Sequence, residues 1–407
     1  MTESSAVSEP VAPEVPASPV VWLASDLRRP PEDGLALALS GGGTRAMLFH
    51  AGALLRLYEL DLFPELLRIS GVSGGSITAG VLAMKWARLG QVPAADRPAL
   101  FKTEVIGPLR AFARQKIDIF GWLRGTFTPG SSPVLQLAAA LDEHLYHGVK
   151  LADLPDDPPR FVFNATNLGT GVLWRFSKPY MADYRLGRVL KPDLPLATAV
   201  AASSAFPPFF SPLKLRVDPT TYEADDVSDD EGGIAPADLA KFREQAHLAD
   251  GGVYDNLAIE TVWKRYRDVL VSDGGGRLKM DPRPNTDLAR QTFRVMNTID
   301  RQVRALRRSL VVRSYREPPG PGLGWRRGAY WGVWTDISNF DADGVLPCPL
   351  EQTRRLAEEP TRLWKMKEAT QQRLVNWGYA VADAAIRTNY RPAPPPAGFP
   401  YPAAKVG

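Results

Sequence analysis

The unbroken apolar run Leu35-Ala-Leu-Ala-Leu39 enters Ser40-Gly-Gly-Gly43, a pattern that predicts a buried strand ending in a tight turn. From Thr44 to Leu60 the apolar residues Met47, Leu48, Leu54, Leu55 and Leu57 fall at helical spacing. Leu67 to Val72 predicts a second short strand, which reaches a Gly-rich turn, and a helix follows from about Gly75 to Leu89. Strand, turn and helix in that order, twice, indicate an α/β fold with a largely parallel central sheet. Further strands are expected at Arg160–Thr166, Val172–Phe176 and Val269–Val271, with a small-residue helix over Ala197–Ser204. A long helix is expected over Asp287–Ser314, with Phe293, Met296, Val303, Leu306 and Leu310 on one face. A last helix is expected over about Thr361–Thr388.

These elements imply a folded unit over 32–276 and a helical C-terminal part, 277–390, packed on the same domain. The Pro-rich ends, a leader over 1–31 and a tail over 391–407, lack periodicity and are expected to be unfolded. The stretch Asp218–Asp238 holds Asp225, Asp226, Asp229, Asp230 and Glu231. Without the ligand spacing of an EF-hand it is expected to be a solvated acidic loop.

Composition narrows the class. The chain has 407 residues, 44% hydrophobic and 23% charged, which suits a soluble globular protein. A net charge of +4 is mild for this length and does not of itself indicate nucleic-acid binding. The single cysteine, Cys348, excludes an internal disulfide and a cysteine-cluster metal site and suits a reducing compartment. Met1–Val20 lacks the basic start and apolar run of a secretory signal. With no apolar stretch of membrane-spanning length, a cytoplasmic protein is expected whose membrane contact is peripheral.

Gly41-Gly-Gly-Thr-Arg-Ala46 follows one strand and opens one helix. Its free amides and positive helix end suit a dinucleotide pyrophosphate, or an alkoxide in an oxyanion hole, or simply a tight turn. A dinucleotide site needs an acidic residue at the end of the second strand. Here that strand ends in Gly71-Val-Ser-Gly-Gly75, and no Gly-Lys-Ser/Thr closes a Walker loop.

Gly71-Val72-Ser73-Gly74-Gly75 matches Gly-x-Ser-x-Gly between a strand and a helix. Such a serine stands on a sharp turn that pushes its hydroxyl out of the backbone, and the flanking glycines remove side chains that would collide there. Ser70 and Ser76 lack this flanking pattern. A nucleophilic serine needs a proton acceptor. Of the histidines, His144 and His147 lie on a polar stretch, and nothing around His247 marks a catalytic loop. Two carboxylates follow apolar stubs into glycine turns: Asp250 in Leu248-Ala-Asp-Gly-Gly-Val253, and Asp273 in Val271-Ser-Asp-Gly-Gly-Gly276. Either is equally an Asp-Gly turn, and spacing does not separate them.

The ordered set Gly41–Ala46, Gly71–Gly75 and Asp250–Gly252 resembles the patatin-like phospholipase family. Ala199-Val-Ala-Ala-Ser-Ser-Ala-Phe-Pro207 and Asp250-Gly-Gly-Val-Tyr-Asp-Asn-Leu257 are similar too. The resemblance covers about Leu35–Gly276. It implies a three-layer α/β/α fold, a catalytic domain over 32–276, and hydrolysis of lipid acyl esters by a Ser73–Asp250 dyad through an acyl-enzyme. It favours Asp250 over Asp273 because the residues after Asp250 continue the family pattern. It places the oxyanion hole in Gly41, Gly42, Gly43 and Thr44, with the amides of Gly42, Gly43 and Thr44 foremost. Arg45 is a candidate for a lipid headgroup, and no metal or cofactor is implied. In one departure, Ala46 stands where the motif usually ends in Gly.

From Arg301 to Arg327 there are eight arginines, with Trp325, Trp331 and Trp334 among or just beyond them. That mixture suits an anionic membrane surface. No nucleic-acid partner is expected, since no such fold signature accompanies it. The run Ala205-Phe-Pro-Pro-Phe-Phe210 is a candidate wall of an acyl-chain channel. Competing functions are a general carboxylesterase or thioesterase on the same machinery, and a non-catalytic lipid-binding protein.

Overall fold

A computed structural model describes residues 17–23, 26, 30–115, 132–208, 210–223, 233–320, 323–361, 363 and 365–407. Strand β1 (Glu32–Leu39) leads into helix α1 (Gly43–Glu59), and β2 (Leu66–Gly71) into α2 (Gly74–Leu89). Strands β3 (Arg160–Asn167), β4 (Val172–Phe176), β5 (Tyr180–Asp183) and β6 (Gly187–Leu190) precede α3 (Leu196–Ser203). After β7 (Leu213–Arg216), β8 (Tyr222–Glu223) and β9 (Gln245–Asp250) come β10 (Tyr266–Asp273), α4 (Leu288–Ser314), β11 (Arg327–Gly332) and α5 (Glu368–Asn389). The sheet runs β11-β10-β1-β2-β3-β4-β5-β6-β8, parallel from β11 to β3 and antiparallel beyond, with β9 joining β3 and β7.

The apolar run of β1 shows why three layers form. Leu35, Leu37 and Leu39 enter the core beneath α1, α2 and α5, while Ala36 and Ala38 face a second core built from Ile259, Val262, Trp263 and Val311. Strand alternation sends successive side chains to opposite faces, so a run apolar at every position is one covered on both. Helices α1 and α5 touch at backbone distance: a methyl at Gly52 would strike the Val375 carbonyl, and one at Gly378 the Phe49 carbonyl. The C-terminal helix is thereby part of the main core.

Both ends depart from expectation. In the leader, Val20 is buried in the second core and Asp26 pairs with Lys264 at 2.7 Å. The tail is laid along α5: Asn376 Nδ2 donates to the carbonyls of Tyr401 (2.8 Å) and Lys405 (2.7 Å), and Val406 is buried. One side chain on a long helix holds a segment that has no periodicity of its own. Asp225, Asp226, Asp229, Asp230 and Glu231 of the acidic stretch, and Phe209, lie outside the described residues.

Helix α4 begins where expected, but with a different face inward. Phe293, Arg304, Arg307 and Val311 turn toward the domain, whereas Val303 and Leu306 are 41% and 63% exposed. The inward arginines meet Asp255 and Asp273. Those ion pairs, rather than the apolar stripe, set the rotation of the helix.

Candidate active site

Two strands deliver the central groups to one place. Gly71 at the end of β2 pairs with Phe163, and Asp250 at the end of β9 pairs with Ala165, both on the β3 edge opposite β4. β2 runs parallel to β3 and β9 antiparallel, so their last residues approach head to head. Ser73 follows in a sharp turn with φ 51° and ψ −120°, a strained conformation for a residue with a side chain. Gly74 then crosses so close to the first glycine loop that a methyl there would enter the Gly43 carbonyl.

The Ser73 side chain lies beside the Asp250 carboxylate, close enough to favour its ionised form. Asp250 is 3% exposed, its Oδ1 accepts from the Gly252 amide at 2.7 Å, and its own amide donates to Ala205 O at 2.9 Å. Burial pushes its pKa up to about 7, against the bond from Gly252 and the nearby Ser73 side chain, and the Asp300 charge adds to the rise. Asp273 is held elsewhere. It accepts from Tyr330 Oη (2.7 Å) and the Gly275 amide (2.9 Å), and Arg304 and these bonds keep it below the ordinary range despite its burial. Of the two Asp-Gly turns, the one at Asp250 lies beside Ser73, and the one at Asp273 is tied to Tyr330 and Arg304.

Ser203, at the end of α3, joins both turns. Its carbonyl accepts from the amides of Ser73 (3.1 Å) and Gly251 (3.3 Å), and its hydroxyl meets the Ser73 amide (3.1 Å) and Ser76 Oγ (2.8 Å). The sequence motif contained this residue but assigned it no part. Only its clustered small neighbours signalled close packing.

The glycine loop partly corrects expectation. The Gly41 amide donates to Asn256 O at 3.0 Å, so it is engaged rather than open to an oxyanion. Gly42 caps α1 with φ 148° and Gly43 begins it with φ 62°. The amides of Gly42, Gly43 and Thr44 stand at the cap and first positions, where an α-helix offers no internal acceptor. Ala46 is accommodated because Gly274 faces it, and a methyl on Gly274 would lie 2.6 Å from Ala46 Cβ.

Arg45 is not available to a headgroup. It is 1% exposed and donates to the carbonyls of Gly274 and Glu359 and to Thr361 Oγ1. Burial first, and then the Arg304 charge, pull its pKa down to about 10. His50 ties β1 to β10, with Nε2 2.9 Å from Ser40 O and Nδ1 2.7 Å from Ser272 Oγ. Burial pulls its pKa down to about 4, so it stays neutral. His247 lies on β9 three residues before Asp250, hence on the opposite face. His144 packs on Phe112, and His147 is exposed.

The Arg301–Arg327 segment is divided: Arg301, Arg313, Arg316 and Arg327 are exposed, and others are not. Arg304 and Arg307 point inward, Arg326 is 1% exposed, Trp331 is fully buried, and Arg327 pairs with Asp268 at 2.6 Å. What α4 turns outward is apolar: Leu288, Val295, Ile299, Val303 and Leu306. These positions fall within about a third of the helical circumference at 3.6 residues per turn. Phe206, one of the expected channel residues, meets Phe293 of α4 edge-on at 6.2 Å. No helix among the described residues is long and apolar enough to cross a membrane.

Comparison with known proteins follows the same lines. The structure of human GIVD cytosolic phospholipase A2 is similar in fold, with a TM-score of 0.51 at 14% identity, covering 88% of this chain and 58% of that one. VipD from Legionella pneumophila aligns over 87% of this chain and 66% of its own at 15% identity, with a TM-score of only 0.36. Triacylglycerol lipase 4 of Saccharomyces cerevisiae is 55% identical over 49 residues, 12% of this chain and 5% of the yeast protein. This chain therefore spans well under two thirds of the yeast lipase and of the human phospholipase. The family model for patatin-like phospholipase matches residues 37–263, more than half of the chain and inclusive of the glycine loop, Ser73 and Asp250. The chain belongs to the patatin-like phospholipase family.

Proposed function

We propose that this protein hydrolyses the acyl esters of lipids, with Ser73 as nucleophile and Asp250 as the general base. The reading is carried by one observation: a serine on a strained turn stands beside a buried carboxylate whose pKa lies near 7. A base poised near the working pH combines availability of its ionised form with useful proton affinity. Family membership and the yeast lipase match support a lipid ester as substrate.

In the proposed reaction Asp250 takes the Ser73 proton as Oγ attacks the ester carbonyl carbon. The oxyanion forms against the amides of Gly42, Gly43 and Thr44, where the positive end of α1 also lies. Asp250 returns the proton to the departing alcohol as the C–O bond breaks, leaving an acyl-Ser73 ester. Asp250 then takes a proton from water, the hydroxide oxygen attacks the acyl carbon, and the proton passes to Ser73 as the fatty acid leaves.

Substrate in a bilayer has to reach this centre, and α4 is the element suited to bring it there. Its inward Asp300 acts on Asp250, while its outward stripe is apolar. An apolar stripe exposed along a helix suits the interfacial region of a bilayer. Covalent labelling by a fluorophosphonate tests the nucleophile: wild type is labelled at Ser73, and Ser73→Ala is not. Lipid-product mass spectrometry on wild type, Ser73→Ala and Asp250→Asn tests the reaction. Turnover of short soluble esters with no release of fatty acid from phospholipid or triacylglycerol would point to a general esterase instead.

A further inference from the structure

At the end of the sheet away from Ser73, arginines gather on one face. Arg68 of β2 stands directly opposite Arg160 of β3. Asn164, four residues along β3 and so on that same face, is opposite Arg175, which is opposite Ala182, which is opposite Arg188. Arg68, Arg160, Arg175 and Arg188, with Arg265 before β10, line a cavity of about 510 Å³. Tyr180 and Tyr266 complete it, and they lie beneath Arg160 (5.6 Å) and Arg68 (5.5 Å), which fixes the guanidinium planes.

The cavity has too little negative charge for its arginines. Asp157 pairs with Arg160 at 2.7 Å and Glu223 with Arg188 at 3.2 Å, while Glu32 is at the rim. Asp183 faces the other side, held by Asn167 and Thr170. Among the described residues Arg175 and Arg265 form no ion pair. The Nε atoms of Arg68 and Arg175 are buried without an acceptor, and Arg68 as a whole is only 8% exposed. Arg68 Nη1 donates to Thr261 O at 2.8 Å, but like charges directly opposite on a sheet, and buried Nε atoms lacking an acceptor, are both destabilising. An anion with several charges would remove both penalties, and planar guanidinium forks match phosphate oxygens.

We propose that this cavity is a binding site for a compact polyphosphorylated anion, separate from the ester-cleaving centre. Five residues, at most about 16 Å of chain, separate Arg68 on β2 from Ser73 in the turn beyond it. The chemistry is shared by a free inositol polyphosphate and a phosphoinositide headgroup. Its place at the opposite end of the sheet from the α4 stripe favours the free anion. The inference does not depend on the hydrolase reading.

Isothermal titration of the full chain with inositol hexakisphosphate in physiological salt tests it, alongside flotation with phosphatidylcholine vesicles with and without phosphatidylinositol bisphosphate. One molecule of inositol hexakisphosphate is expected to bind per chain and to raise Tm. The Arg175→Gln/Arg265→Gln variant is expected to bind at least tenfold more weakly while its ligand-free Tm is unchanged or higher, because repulsion is relieved. If that variant is misfolded by near-UV circular dichroism, Arg188→Gln at the exposed rim serves, with binding expected to weaken several-fold. Arginine-dependent binding confined to phosphoinositide vesicles would assign the site to a lipid headgroup. No binding of either probe by wild type, or equal binding by a folded variant, overturns the proposal.

Discussion

Ser73 follows one strand and Asp250 ends another, and the two strands meet head to head on one edge of β3, with Gly71 opposite Phe163 and Asp250 opposite Ala165. Two residues of β3 span about 7 Å. The gap between a rising and a descending strand is therefore what brings hydroxyl and carboxylate together, and the carbonyl of Ser203 holds both turns across it.

Replacing Ser203 by alanine removes its hydroxyl from the Ser73 amide and from Ser76 Oγ. A net loss of about 1 kcal/mol per bond is ordinary. Steady-state kinetics are expected to show kcat down by about tenfold with KM little changed, since such a loss in the transition state converts to that factor. An unaltered kcat would remove Ser203 as a positioning residue.

The acidity of Asp250 sets a pH profile. As base it must be ionised, so kcat/KM on a soluble ester is expected to rise through about pH 7 and level off above it. Asp300→Asn removes a charge that raises the Asp250 pKa, and the acid limb should move to lower pH. A profile flat from pH 5 to 8 would leave Asp250 without this role.

Asp250 also burdens stability in a pH-dependent way. Its folded pKa of about 7 lies above the ordinary 3.8, so folding binds a proton between those values and stability falls as pH rises across that window. Asp250→Asn, always neutral, is expected to match wild type in Tm near pH 4. Its advantage should grow to about pH 7 and stay constant above. A pH-independent difference would contradict the raised pKa.

Gly74→Ala places a methyl into the Gly43 carbonyl, forcing apart the elbow and the helix start whose amides the proposed reaction uses for the oxyanion. Overpacking of this kind costs about 1–3 kcal/mol. Fluorophosphonate labelling is expected to slow by more than the stability loss alone would produce, and labelling at the wild-type rate would exclude the close approach.

Ile299→Glu with Val303→Glu puts charge on the outward stripe of α4 without touching its inward ion pairs. Co-sedimentation with anionic vesicles is expected to fall several-fold while soluble-ester turnover stays within about twofold of wild type, as for surface changes generally. Arg307→Glu would not report on the bilayer, because Arg307 pairs with Asp255 at 3.0 Å. Undiminished sedimentation of the first variant would place membrane contact elsewhere.

Local chemistry was legible in the chain. The apolar run at Leu35–Leu39 announces a strand covered on both faces, and Gly71–Gly75 announces a strained turn, because each is dictated by residues adjacent in sequence. The family pattern after Asp250 favoured it over Asp273 as the proposed base.

What depended on distant partners was not legible. Arg45 looks like a free cation until Gly274, Glu359 and Thr361 are folded onto it. Gly41 looks like an open donor until Asn256 arrives, and the rotation of α4 waits on Asp255 and Asp273. Sequence spacing specifies which residues share a face or a turn. Which of their polar groups remain unpaired is decided only when segments hundreds of residues apart compete for the same donors and acceptors.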